Sequence, residues 1–112
     1  LTEPNFFDKV YAVVKLIPEG RVTTYGAIAR FIGSPQSSRM VGWALNSTKH
    51  LPNWIPAHRV VNRIGLLTGK MHFQNSNTMV ELLEGEGVLI ENNRISNFKQ
   101  VFWDPNFEID AD

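Results

Sequence analysis

The run Ile55-Pro56-Ala57-His58-Arg59-Val60-Val61 sets an imidazole and a guanidinium side by side, next to a small residue, inside an otherwise apolar stretch. An imidazole exchanges protons near neutral pH, and a guanidinium holds a carboxylate or phosphate through parallel hydrogen bonds. What the stretch lacks is a nucleophile for His58 to activate. Position 57 is alanine, and the chain contains no cysteine. That absence excludes disulfides, thiolate metal sites and thiol catalysis. His50, His58 and His72 have neither zincin nor zinc-finger spacing, so no metal and no other cofactor is expected. No glycine pattern of a nucleophile elbow surrounds any serine, which argues against a Ser/His/Asp hydrolase. Taken by itself, the run is equally consistent with a buried turn whose His58 and Arg59 only satisfy backbone carbonyls.

The charge pattern points to a partner. Positive and negative charges balance overall, yet no acidic residue lies between Glu19 and Glu81, while that interval carries Arg21, Arg30, Arg39, Lys49, Arg59, Arg63 and Lys70. From Glu81 onward eight acids face only Arg94 and Lys99. A cationic central segment is the usual footprint of a phosphate-backbone partner; the alternative is chance clustering on a solvated surface. With 112 residues, 43% of them hydrophobic, the chain suits one globular domain with one core. No apolar run approaches the roughly 20 residues of a membrane span, and the start lacks a signal-peptide layout. A cytoplasmic protein is therefore expected, with room upstream of Leu1 for a further segment.

The elements that must position these residues follow from spacing. Asn5 caps a helix, with Asp8 reaching back, and Phe6, Val10, Val13, Val14 and Ile17 recur at helical intervals until Pro18-Glu19-Gly20 ends it. Thr23 or Thr24 caps a short helix over 25–31 with Ile28, Ala29 and Phe31 inward, and Gly33-Ser34-Pro35 breaks it. A second short helix fits 37–46, with Met40, Val41, Ala44 and Leu45 on its apolar face and Arg39, Gly42, Trp43 and Asn46 on the other. The pair reads as a helix-turn-helix. Gly42 costs that helix about 1 kcal/mol relative to alanine, but leaves a bare surface that a groove can approach. Val60-Val61 and Leu66-Leu67 read as a small strand pair or irregular hairpin, 68–72 as a polar loop, and 77–87 as a helix capped by Asn77 and stopped at Gly87. Residues 88–96 read as a wing-like hairpin turning at Asn92-Asn93. Phe98, Val101, Phe102 and Trp103 fold back on the core. The expected class is α/β, mostly α: a winged-helix-like domain over 1–103 with a helix-turn-helix and small β-hairpins, then a loose acidic tail over 104–112.

Several of these pieces together resemble one family. Tyr25, Arg39-Met40-Val41-Gly42, Pro56-Ala57-His58-Arg59-Val60-Val61, Gly65 and Leu82-Leu83-Glu84-Gly85-Glu86-Gly87 are similar to the DNA-binding domain of the O6-alkylguanine-DNA alkyltransferases. Ala57 stands where those enzymes carry the cysteine that accepts the alkyl group, as in the alkyltransferase-like proteins. The resemblance implies that His58 and Glu86 are a vestigial proton relay, with no catalytic residue present. It implies DNA contacts from Thr23, Thr24, Tyr25, Arg39, Gly42 and Trp43, with the second helix in the minor groove. Tyr25 would push the flanking phosphate and touch the base, and Arg39 would fill the space that a flipped nucleotide leaves. Tyr25, Pro56, Ala57, His58 and Val60 would wall an alkylguanine pocket under a lid of Lys70 and Met71, with Lys70 offering a cation to the base.

The implied function is a non-enzymatic DNA-damage sensor that binds O6-alkylguanine in duplex DNA, tolerates alkyl groups larger than methyl, and marks the site for nucleotide excision repair. Its partners would be damaged double-stranded DNA and excision-repair proteins, met by a monomer on the nucleoid. Two alternatives come from other classes. One is an enzyme with a non-cysteine group, such as a histidine alkyl acceptor, a nuclease or a glycosylase. The other is a winged-helix transcription regulator.

Overall fold

The computed structural model describes residues 5–48, 51, 53–73, 75 and 77–109, excepting the side chains of Met71 and His72. Helix α1 spans Phe6–Val14 and opens with the expected capping box: Asn5 Oδ1 accepts from Asp8 N at 2.9 Å, and Asp8 Oδ2 accepts from Asn5 N at 3.4 Å. Such a cap stabilises a helix by about 1 kcal/mol. Strand β1 (Thr23–Thr24) leads directly into α2 (Tyr25–Ile32), because Thr24 is both the end of the strand and the N-cap, its hydroxyl accepting from Ala27 N at 3.1 Å. Gly33 ends α2 at φ 92°, with its N–H on Arg30 O and Ser34 N–H on Ala29 O. That left-handed stop turns the chain into α3 (Ser38–Asn46), giving the helix-turn-helix.

The core forms two clusters that meet at one short strand pair. The first joins α1, α2 and α3 through Val10, Val14, Ile28, Val41 and Leu45, and takes in Ala57, Val60 and Trp103. The second holds Val61, Leu67, Met79, Leu83, Val88 and Ile95. Strand β2 (Val60–Val61) pairs in parallel with β1, Thr23 opposite Val60 and Thr24 opposite Val61. Side chains alternate across a strand, so Val60 enters one cluster and Val61 the other. The 3₁₀ turn Ala57–Arg59 immediately precedes β2 and therefore sits on the seam.

Helix α4 (Thr78–Gly85) closes with Val88 N–H on Leu83 O and Gly87 at φ 90°. The wing is β3 (Ile90–Glu91) and β4 (Arg94–Ile95), turned by Asn92 and Asn93 at φ 52° and 64°. Asparagine tolerates that left-handed turn better than most residues. Helices α5 (Phe98–Val101) and α6 (Pro105–Glu108) complete the fold. No helix among the described residues is long and apolar enough to cross a membrane.

Some expectations are corrected. Val60-Val61 and Leu66-Leu67 do not pair as a hairpin. The first pair joins β1, while Leu66 bridges to Arg94 of the wing, because the Asn62–Gly65 turn redirects the chain. The polar loop 68–72 is a 3₁₀ helix. Phe31 and Met40 are partly exposed, and Ala27 takes the inward place on α2. Residues 104–109 are not loose: Asp104 caps α6, Pro105 is buried, Ile109 packs on the first cluster, and Asn106 Nδ2 donates to Ala27 O at 3.2 Å.

Candidate functional site

The polar centre of the molecule is built on the seam. His58 is 1% exposed, and its Nε2 lies 2.8 Å from Glu86 Oε2. A carboxylate only accepts, so Nε2 carries the proton and Nδ1 is left as the acceptor. Burial lowers the His58 pKa, against the pull of Glu86, and keeps the ring neutral near pH 7. Arg59 grips the same carboxylate in a fork, Nε to Oε1 at 3.0 Å and Nη2 to Oε2 at 2.7 Å, while Nη1 donates to Ile17 O at 2.9 Å. Gly20 N–H also donates to Glu86 Oε1 at 3.1 Å. Burial alone would raise the Glu86 pKa. The bonds from Arg59, His58 and Gly20 reverse that and hold it at about 2.

Local sequence explains why these groups meet. The Gly87 turn that ends α4 leaves Glu86 at the helix end, where its side chain reaches across to the seam. Gly20 lies at φ 83°, and a Cβ there would stand 3.2 Å from Glu86 O, so the turn after α1 closes on Glu86 only as glycine. Trp54, mostly exposed, lies over the motif, its ring 5.8 Å from the Arg59 guanidinium and 5.7 Å from the His58 ring. Arg59 stands out in the sequence beside His58, but its pairing with Glu86 does not, and neither Gly20 nor Trp54 is singled out there as a member of this centre. The available signal was Arg59 itself, since a guanidinium inside an apolar run must find an acid when it is buried.

The second feature is a groove of about 460 Å³ along α3, lined by Tyr25, Ser38, Arg39, Gly42, Trp43 and Asn46. It brings together four of the residues singled out from sequence. Arg39 is exposed, and Trp43 is 57% exposed although tryptophan normally seeks burial. Gly42 sits beside Tyr25 without crowding it: a Cβ at 42 would meet Tyr25 Cε1 only at 4.0 Å, an ordinary contact. Burial raises the Tyr25 pKa, offset in part by a hydrogen bond with Thr68, so the phenol stays protonated at neutral pH. That bond links the groove to the 3₁₀ turn Thr68–His72, which carries the partly buried Lys70 and also Met71, whose side chain lies outside the described residues.

One expected side-chain contact is at odds with its burial. Thr23 is fully buried within β1, and among the described residues its hydroxyl has no partner, so it cannot face a bound duplex. The Thr24 hydroxyl accepts from Ala27 N as the α2 cap, which leaves its O–H able to donate. The residues drawn as a pocket do gather around the seam, but Ala57 is only 2% and Val60 0% exposed, with Pro56 and His58 also buried. Tyr25 packs against the same cluster.

Comparison with known proteins places the chain in a family. The family described as the 6-O-methylguanine DNA methyltransferase DNA-binding domain matches residues 5–88. Alkyltransferase-like protein 1 of Schizosaccharomyces pombe is 36% identical over 105 residues, covering 90% of this chain and 96% of that one. A DNA base-flipping protein of Escherichia coli is 38% identical over 105 residues, covering 90% of this chain and 76% of its own. Among solved structures, S. pombe Atl1 in complex with damaged DNA containing O6-carboxymethylguanine superposes with TM-score 0.75 at 36% identity, over 94% of this chain and all of that one. With its seam intact and alanine at position 57, the chain belongs to the 6-O-methylguanine DNA methyltransferase DNA-binding-domain family, as an alkyltransferase-like member without the acceptor cysteine.

Proposed function

We infer that this protein is a non-enzymatic sensor of alkylated DNA. It binds O6-alkylguanine in a duplex through the minor groove, turns the base out of the stack, and holds it without removing the alkyl group. The observation that carries this reading is Ala57 beside an intact His58–Glu86 pair. In an acceptor enzyme that pair would draw a proton from the cysteine thiol at 57 so that sulfur attacks the alkyl carbon. A methyl group has no proton to give and no lone pair to attack with, so recognition remains and transfer does not.

The α3 groove supplies the means. Gly42 lets the helix lie close to a groove, Arg39 is free to enter the stack, and Tyr25 stands between groove and seam as a neutral phenol. Flipping costs a few kcal/mol in duplex DNA, and less where alkylation has weakened the pair, which supplies part of the selectivity. The relatives support the same reading: one carries the name DNA base-flipping protein, and another was solved on DNA with a carboxymethylated guanine. An alanine in place of cysteine leaves extra room beside the O6 substituent, so groups larger than methyl are accommodated. Lys70 and Met71 would close over the base, and the sensor would act as a monomer on nucleoid DNA.

The deciding experiment is incubation with a duplex carrying a labelled O6-methyl group, alongside a binding titration against the undamaged duplex. Preferential binding with all label retained on intact DNA is the expected result. Label on protein, strand scission, or equal affinity for both duplexes overturns it. Hand-over to nucleotide excision repair is the further step of the proposal. It predicts that survival conferred by the protein after alkylation disappears in cells lacking the excision nuclease, and unchanged protection there rejects it.

A further inference from the structure

The geometry points to a second DNA-contacting tract, running from Tyr25 to the wing, that holds the phosphate backbone of the duplex whose base the α3 groove engages. It rests on the sensor reading above. Three hollows join end to end. The α3 groove shares Tyr25 and Ser38 with a second hollow of about 480 Å³ that adds Arg30 and Arg63. The second shares Arg63 and Phe98 with a third of about 1020 Å³, which runs along the wing and adds Arg94 and Lys99.

Charge distinguishes this tract from an ordinary surface. From Glu81 to the end of the chain only Arg94 and Lys99 are basic, and the fold brings both into the third hollow although eight acids share that segment. Among the described residues no acid lines the first two hollows, and the only one in the third is Glu91, set opposite Arg94 in the wing ladder. Arg63 and Lys99 are exposed, and among the described residues neither has an ion-pair partner. Arg94 is anchored through Nε to Ile64 O at 3.1 Å, which fixes the wing against the 62–66 turn. Cations following one continuous channel out of the base-binding groove suit a single polyanionic strand, and phosphate contacts of this kind position a duplex without reading its sequence. An acidic protein surface would have no need of continuity with Tyr25.

The test is the double variant R63A/K99A, titrated across a salt series with a short duplex carrying one O6-methylguanine and with its undamaged counterpart. Each phosphate contact contributes about 0.9 to the slope of log affinity against log salt, so the slope should flatten by roughly 2 and affinity for both duplexes should fall about tenfold or more. The ratio between damaged and undamaged affinity should stay at the parent value. R63K/K99R, which keeps the charges, should restore the slope. An unchanged slope in R63A/K99A, or a lost slope that R63K/K99R fails to restore, overturns the tract even where the parent still prefers damaged DNA. A parent with no such preference overturns the sensor reading instead.

Discussion

The seam and the α3 groove meet at Tyr25, which lines the groove and packs on the first core cluster, and they obey opposite rules. At the seam the charged groups are committed to one another. Glu86 takes bonds from His58, Arg59 and Gly20, and Arg59 Nη1 donates to Ile17 O. In the groove Arg39 and Trp43 stand exposed, and Gly42 gives up helix stability for a bare surface. A centre whose hydrogen bonds are all internal holds the molecule together; a surface with unspent side chains waits for a partner. The histidine–glutamate pair thus has a structural reason to persist in a chain with no cysteine to activate, because the same carboxylate ties the turn after α1 and the motif to the end of α4.

That contrast can be broken most severely at the seam. Glu86→Ala leaves the Arg59 guanidinium buried without its acid, and removal of one partner of a buried pair costs about 3 kcal/mol or more. Chemical denaturation should show this as a lower midpoint, and a midpoint at the parent value would show that the seam is not structural. The same network sets the response to acid. The Glu86 pKa of about 2 lies below its ordinary 4.5, so the unfolded chain binds the proton first. The stability that Glu86 contributes is present above pH 4.5 and is lost as pH falls toward 2; by linkage it amounts to about 3 kcal/mol. His58 acts with the same sign, its lowered pKa withdrawing stability as pH drops below 6.5. In Glu86→Gln the Glu86 share of this acid dependence should vanish from denaturation curves taken across that range, and a curve parallel to the parent's would contradict the assignment.

Substitutions in the groove should do the reverse, sparing stability and damaging recognition. Tyr25→Ala should remove most of the preference for damaged over undamaged duplex while keeping salt-dependent affinity, as measured by paired titrations. Its partial packing on the core makes a modest loss of stability expected as well. Arg39→Ala, at an exposed site, should weaken binding to the damaged duplex about tenfold with an unchanged melting temperature. The smallest change is the sharpest. Gly42→Ala should raise stability by up to about 1 kcal/mol, since a Cβ there meets Tyr25 only at 4.0 Å, yet weaken DNA binding by holding the helix away from the groove. Stability and affinity rising together would place the duplex elsewhere.

Much of the local structure is legible in the sequence because it depends on neighbours. The Asn5 capping box, the stops at Gly33 and Gly87, and the Asn92-Asn93 wing turn each form within a few residues of chain. The readings that failed are those that distant residues decide. Phe31 and Met40 keep helical spacing with the core but fall at its edge, and α6 is held by Ala27, from the other end of the chain. Thr23 sits in a polar stretch yet is buried, because β1 is claimed by Val60 and Val61, far along the sequence.

The amino-acid sequence by itself determined what chemistry is out of reach: without a thiol, and with a methyl group at position 57, no arrangement of the chain can accept an alkyl carbon on cysteine. It also determined the short helices, whose caps and stops are local hydrogen-bonding events. Only the tertiary structure decided that Glu86 answers to Arg59 and Gly20 as well as His58, and that Arg94 and Lys99 leave their acidic segment to join the cationic channel. Both outcomes follow from packing two clusters against one strand pair, which sets side chains from separate segments a few ångströms apart whatever their distance along the chain.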